Sequence, residues 1–98
     1  EVTKYDKGAG EPDMTLYPLL ADILKKADPS GTPIPMLLSG VTDGRFFSRI
    51  GIQTYGYLPM DIPPELIDTI HAANERVPVA AMAFGTNAIS EVLRRFGE

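Results

Sequence analysis

Hydrophobic positions along this chain fall into two helical stripes with short apolar runs between them. Leu16, Leu19, Leu20, Ile23, Leu24 and Ala27 stand at offsets 0, 3, 4, 7, 8 and 11, which lines one face of a helix. The spacing predicts a helix over about 15–27. Thr15 or Asp13 is placed to cap its start, Pro18 is tolerable within the first turn, and Asp28-Pro29-Ser30-Gly31 ends it. At the other end Val79, Met82, Ile89, Val92, Leu93 and Phe96 repeat at helical spacing, with Pro78 suited to the first position and Gly97 to the stop. Glu91 and Arg95 are spaced for an i,i+4 ion pair on the wet face of this closing helix.

The middle of the chain changes period. Residues 34–38 (IPMLL) form an apolar run that suits a strand buried on both faces, although Pro33 and Pro35 remove two amide donors. Thr42 or Asp43 then occupies a helix-cap position, Phe46, Phe47 and Ile50 recur at helical spacing, and Gly51 is placed as a left-handed stop. GIQTYGYL follows, rich in β-branched and aromatic residues, and predicts a second strand ending near Tyr57. Strand, helix and strand in this order make a βαβ unit with parallel strands and a right-handed crossover. The fold class expected is therefore α/β: helix, strand, helix, parallel strand, long loop, helix, as part of a three-layer sheet with helices on both faces. Phe46, Phe47 and Met82 are assigned to its core. Residues 1–12, with Gly8, Gly10 and Pro12 among charges, read as a linker, and the loop from Pro59 to Pro78 holds four prolines and no clean period.

Composition narrows the classes of function. Thirteen acidic side chains against nine basic ones give a net charge of −4, which supplies no counterion-release drive toward nucleic acid. No apolar run approaches the roughly 20 residues that cross a bilayer. With no cysteine, a disulfide framework and thiolate zinc ligands are both excluded, and only His, Asp and Glu remain as metal donors. That usage agrees with a cytoplasmic setting.

His71 is the only histidine and sits in the proline-flanked loop. A loop histidine serves either as a surface or hydrogen-bonded structural residue or as a metal ligand. The Thr42-Asp43-Gly44-Arg45 turn reads first as a helix start, with Asp43 favouring its positive end. The amides of Ser39, Gly40 and Val41, just before that start, are placed to meet a carboxylate or carbonyl oxygen.

Three stretches taken together, GVTDGRFFSRIGIQTYGYLPM (40–60), IHAANERVPVAAMAFG (70–85) and EVLRRFG, resemble the last catalytic-domain segment of metallopeptidase family twenty. These co-catalytic zinc enzymes include glutamate carboxypeptidase, aminoacylase, acetylornithine deacetylase, succinyl-diaminopimelate desuccinylase and several dipeptidases. The resemblance covers about 14–97, and the TYGYLP form looks closer to the dipeptidase and aminoacylase branches. It implies that His71 is a zinc ligand, that Asn74 or Glu75 supports its ring, and that the Gly40–Val41 loop and the Gly56 region border the substrate, a peptide or N-acyl amino acid.

A pair of zinc ions needs about five ligands and a general base, and one histidine cannot provide them. Relatives draw the rest from an upstream half through a His-x-Asp motif, a bridging Asp and a Glu-Glu pair, none of which occurs here. The resemblance thus implies that 13–98 is the carboxy-terminal portion of a catalytic domain, with 1–12 at the end of a preceding lid domain, inactive without its amino-terminal half. The rival expectation is a non-enzymatic α/β module that binds partners or itself. In both cases an uncovered apolar face favours a homo-oligomer.

Overall fold

A computed structural model describes residues 13–37 and 41–97. Four helices occur in the described residues: α1 (Tyr17–Ala27), α2 (Gly44–Arg49), α3 (Pro64–Ile67) and α4 (Val79–Arg95). The linker assigned to 1–12 lies outside the described residues.

The first stripe folds as its spacing requires. Leu20 and Ile23 are the buried positions of α1, and Pro18 falls in the first turn, where its missing N–H costs nothing. Neither Thr15 nor Asp13 caps the helix. The Asp13 carboxylate instead accepts the Thr15 amide at 2.9 Å and the Thr15 hydroxyl, a local Asx turn that leads into the N-cap residue Leu16. At the far end Lys25 reaches past the last turn to the carbonyls of Pro29 (2.7 Å) and Gly31 (2.8 Å), while Asp28 accepts from the Ser30 amide and hydroxyl. Those bonds turn the chain back along α1 and hold the Asp28 carboxyl below its usual range, chiefly through the Ser30 hydroxyl.

The α/β expectation is overturned: among the described residues there is no strand and no sheet. Of the two predicted strands, 34–38 and 51–57, the described residues 34–37 and 51–57 are irregular backbone. A strand is stabilised by the ladder of its neighbours, so β-branched and aromatic content alone does not create one. Pro33 and Pro35 remove donors from the first run. In the second, the Ile52 amide bonds back to Phe47 O at 3.1 Å, at the end of α2, and the Met60 amide bonds to Leu58 O at 2.9 Å. The two runs border a common cavity of about 480 Å³ whose other wall is Tyr17, Leu20 and Leu24 of α1. They meet at a concavity without pairing.

The long-range packing between helices is α1 against α4. Ala81, Gly85 and Ala88 are the buried positions of α4; Gly85 faces Pro59 and Met60, where an added β-carbon would stand 3.0 Å from Met60 Cγ and 3.3 Å from Pro59 O. Asp22 of α1 accepts a hydrogen bond from Arg95 at 2.8 Å and pairs with Lys26 at 3.0 Å. The Glu91–Arg95 pair expected from spacing does not form: Glu91 takes Arg94 instead, at 3.0 and 2.5 Å, and Arg95 turns to α1. Among the described residues the core is small, its buried hydrophobic side chains being Leu20, Ile23, Ala81 and Ala88. Phe46, Phe47 and Met82 do not join it; each is about half exposed, at 47%, 51% and 51%. Phe46 lies under two guanidinium groups, Arg45 at 4.6 Å and Arg49 at 5.7 Å from the ring centre.

Candidate functional site

The loop that carries His71 is built by its prolines. Pro63 and Pro64 open α3, with Pro64 at the first helical position, and Pro63 O accepts from the Leu66 amide at 2.9 Å. After Ile67 the helix tightens into three-residue turns: Thr69 N bonds to Leu66 O at 3.0 Å, Ile70 N to Ile67 O at 3.1 Å, and Ala72 N to Thr69 O at 2.9 Å. The Thr69 hydroxyl caps Leu66 O at 2.6 Å.

This run ends at His71, whose φ is +63°, and three residues later Asn74 has φ of +68°. Among the described residues these two alone, glycine aside, adopt the left-handed region, which costs a β-carbon-bearing residue about 1–2 kcal/mol. Both are residues that the resemblance singles out. Sequence holds one signal for this geometry, since Asn and His are enriched several-fold among left-handed non-glycine residues. The backbone turns twice at the motif, and His71, Asn74 and Glu75 are all exposed. The imidazole has no hydrogen-bond partner among the described residues. Asn74 O accepts from Arg76 Nη1 at 3.2 Å, and no hydrogen bond joins the Asn74 or Glu75 side chain to the ring.

The other singled-out residues lie apart from that turn. Val41 is exposed beside the start of α2, and Gly40 lies outside the described residues. Gly56 lines the 480 Å³ cavity and has open space where a side chain would stand. The Thr42–Arg45 turn is a helix start as expected: Thr42 Oγ1 accepts the Gly44 amide at 3.3 Å, and Gly51 stops α2 with φ of +83°.

Three contacts were not signalled by the sequence pattern. Gly44 lies so close to Thr54 that an added β-carbon would stand 2.8 Å from its Cγ2, which presses the Thr-Asp-Gly-Arg turn onto the Ile52–Tyr57 segment. Tyr55 donates its hydroxyl to Asp13 O and Tyr17 donates to Pro33 O at 3.2 Å, tying both irregular runs to the start of α1. Tyr57 also lines the cavity; its hydroxyl oxygen is sequestered with no partner among the described residues, and desolvation pushes the phenol above its ordinary range.

The donor chemistry does not make a metal centre by itself. Among the described residues no group of three or more His, Asp or Glu side chains is gathered so as to hold an ion. Among the described residues His71 therefore stands as one isolated nitrogen donor in an exposed turn.

Comparison with known proteins supports the resemblance coarsely. Over 79 residues, 80% of this chain, the sequence is 30% identical to the human N-fatty-acyl-amino acid synthase/hydrolase PM20D1, a member of metallopeptidase family twenty. The chain is similar to part of a hydrolase. It spans 16% of that protein's length. No family model matches the chain, and no solved structure matches it. No helix of the described residues is long and apolar enough to cross a membrane.

Proposed function

We propose that this chain is a segment of a zinc-dependent hydrolase of peptide or N-acyl amide bonds, to which it contributes His71 as a metal donor. The observation that carries the reading is the coincidence of two independent features. The stretch similar to a known hydrolase includes the His-x-x-Asn-Glu-Arg motif, and its His and Asn are held left-handed in an exposed turn. Such strain persists where surrounding structure over-determines it, and it clusters at functional sites. The remaining donors and the general base come from residues outside this chain, because a single imidazole is far short of the about five ligands of a two-metal site. Val41, Gly56 and, outside the described residues, Gly40 are the substrate-side residues of this reading.

The test is a chimera in which the aligned 79 residues replace their counterpart in PM20D1, with zinc content and hydrolysis of an N-fatty-acyl amino acid as readouts. The chimera is expected to bind zinc and hydrolyse. Its His71→Ala variant should lose about one zinc per chain and at least about 10³-fold in kcat. A soluble chimera whose zinc content is indifferent to His71→Ala removes the metal-donor role.

A further inference from the structure

The turn that holds His71 is anchored through one residue. Across residues 64–77 every residue is exposed except Leu66 and Thr69, which are half-buried, and these two are bonded to each other. Leu66 O accepts from the Thr69 amide at 3.0 Å and from its hydroxyl at 2.6 Å. Thr69 O in turn accepts the Ala72 amide at 2.9 Å, which closes a four-residue turn with His71 at its third position. In a turn that needs a positive φ at that position, glycine is the residue ordinarily found, yet His71 adopts +63°. The consequence is a change of direction. A right-handed helical residue at 71 would lay its side chain back along the preceding turn, whereas the left-handed one leaves that path.

We propose that Thr69 is the positioning residue of His71: its hydroxyl, by fixing the turn that begins at Leu66, sets the direction in which the imidazole is offered. This rests on the reading of His71 as a metal donor. Threonine suits the task, because its branched β-carbon restricts χ1 and a hydroxyl returned to a carbonyl three residues earlier draws the backbone away from a regular helix. Asn74 and Glu75, the residues expected to support the ring, make no hydrogen bond to it among the described residues. The support seen in this chain therefore acts through the backbone. Removing a group that orients a ligating histidine costs about 10–100-fold in metal affinity, and a single hydrogen bond between uncharged groups shifts a conformational equilibrium about 3–10-fold.

Two measurements test it. In the 98-residue chain, Thr69→Val keeps the branched shape and removes the hydroxyl, so the Ala72 amide is expected to exchange its hydrogen about 3–10-fold faster, while Thr69→Ser exchanges as wild type does. In the PM20D1 chimera, titrated with zinc against a chelator, Thr69→Val should weaken zinc binding about 10–100-fold and Thr69→Ser should restore it to within about twofold. A role in stability alone would lower the thermal midpoint of Thr69→Val without moving the zinc affinity of the folded protein. That result, a Thr69→Val chain that loses its circular-dichroism helix signal, a serine variant no better than valine, or an unchanged Ala72 exchange rate would each overturn the positioning role. Exchange that responds to Thr69→Val, beside a chimera whose zinc content is indifferent to His71→Ala, would instead remove the metal-donor reading and leave Thr69 as the residue that fixes the turn.

Discussion

His71 and Asn74 show how a residue's backbone can carry information that its side chain does not yet use. Each occupies a left-handed conformation that glycine adopts without a β-carbon penalty. His71→Gly should therefore raise stability by about 0.5–1 kcal/mol, read as a higher urea midpoint. The same substitution should abolish the zinc dependence of the chimera. Gain in one measurement with loss in the other is the signature of a residue retained for function at a cost in stability. Gly44 makes the opposite case. With Thr54 Cγ2 2.8 Å from any added β-carbon, Gly44→Ala should cost about 1–2 kcal/mol and lower the unfolding midpoint, although alanine is the better helix former. An unchanged midpoint would mean that the Thr-Asp-Gly-Arg turn and Thr54 are not pressed together in solution. Of these residue-scale features, the left-handed stop at Gly51 was legible, because glycine after a helical stripe has few other reasons to be there. The close approach at Gly44 was not, since it depends on a residue ten positions away.

At the scale of elements, the three helices that carry their own apolar period were legible, while α3, inside the segment read as an irregular loop, and everything that depends on a distant partner were not. α1, α2 and α4 follow from periodicity within their own residues. The two strands failed because a ladder is made by neighbours, and IPMLL and GIQTYGYL find none among the described residues. The placement of Phe46, Phe47 and Met82 failed for a related reason: helical spacing says which side chains share a face, not what lies opposite that face. Arg95 chooses Asp22 of α1 over Glu91 of its own helix, a competition that sequence spacing cannot arbitrate.

That choice has a pH consequence. Arg95 first, and Lys26 second, hold the Asp22 carboxyl below its ordinary range. A carboxyl depressed by folding adds stability above its unfolded pKa of about 3.9, and that contribution is lost as pH falls through the lower folded value. The α1–α4 pair should accordingly loosen on acidification below about pH 4, seen as a falling thermal midpoint. Asp22→Asn should flatten that dependence. Because Asp22 is solvent-accessible, about 1 M salt should shrink the difference between wild type and Asp22→Asn.

The described residues bury little for their number. A 100-residue domain with a complete core unfolds with a heat-capacity change of about 1.2–1.5 kcal/mol/K. With four buried hydrophobic residues among those described, this chain, at concentrations low enough to keep it single, should fall clearly below that range by calorimetry. A full-sized value would mean that the exposed apolar residues are covered in solution by the chain itself. Little of this was legible beforehand: a hydrophobic fraction of 44% states how much apolar surface exists, while the amount hidden depends on which faces find each other. The His-x-x-Asn-Glu-Arg motif was legible in the sequence, and a set of metal donors around it was not, because His71 is the chain's single histidine and no group of three donors is gathered among the described residues.

The α1–α4 contact brings together residues 22 and 95, so the polypeptide is closed like a buckle, with the His71 turn on the strap. One cut in that strap, in the exposed turn at 71–76, would not free the two pieces from each other, since the helix pair still joins them. A nicked chain that co-elutes as one species, and falls apart when Arg95 and Asp22 are both replaced, would show that the buckle rather than the strap keeps the molecule whole.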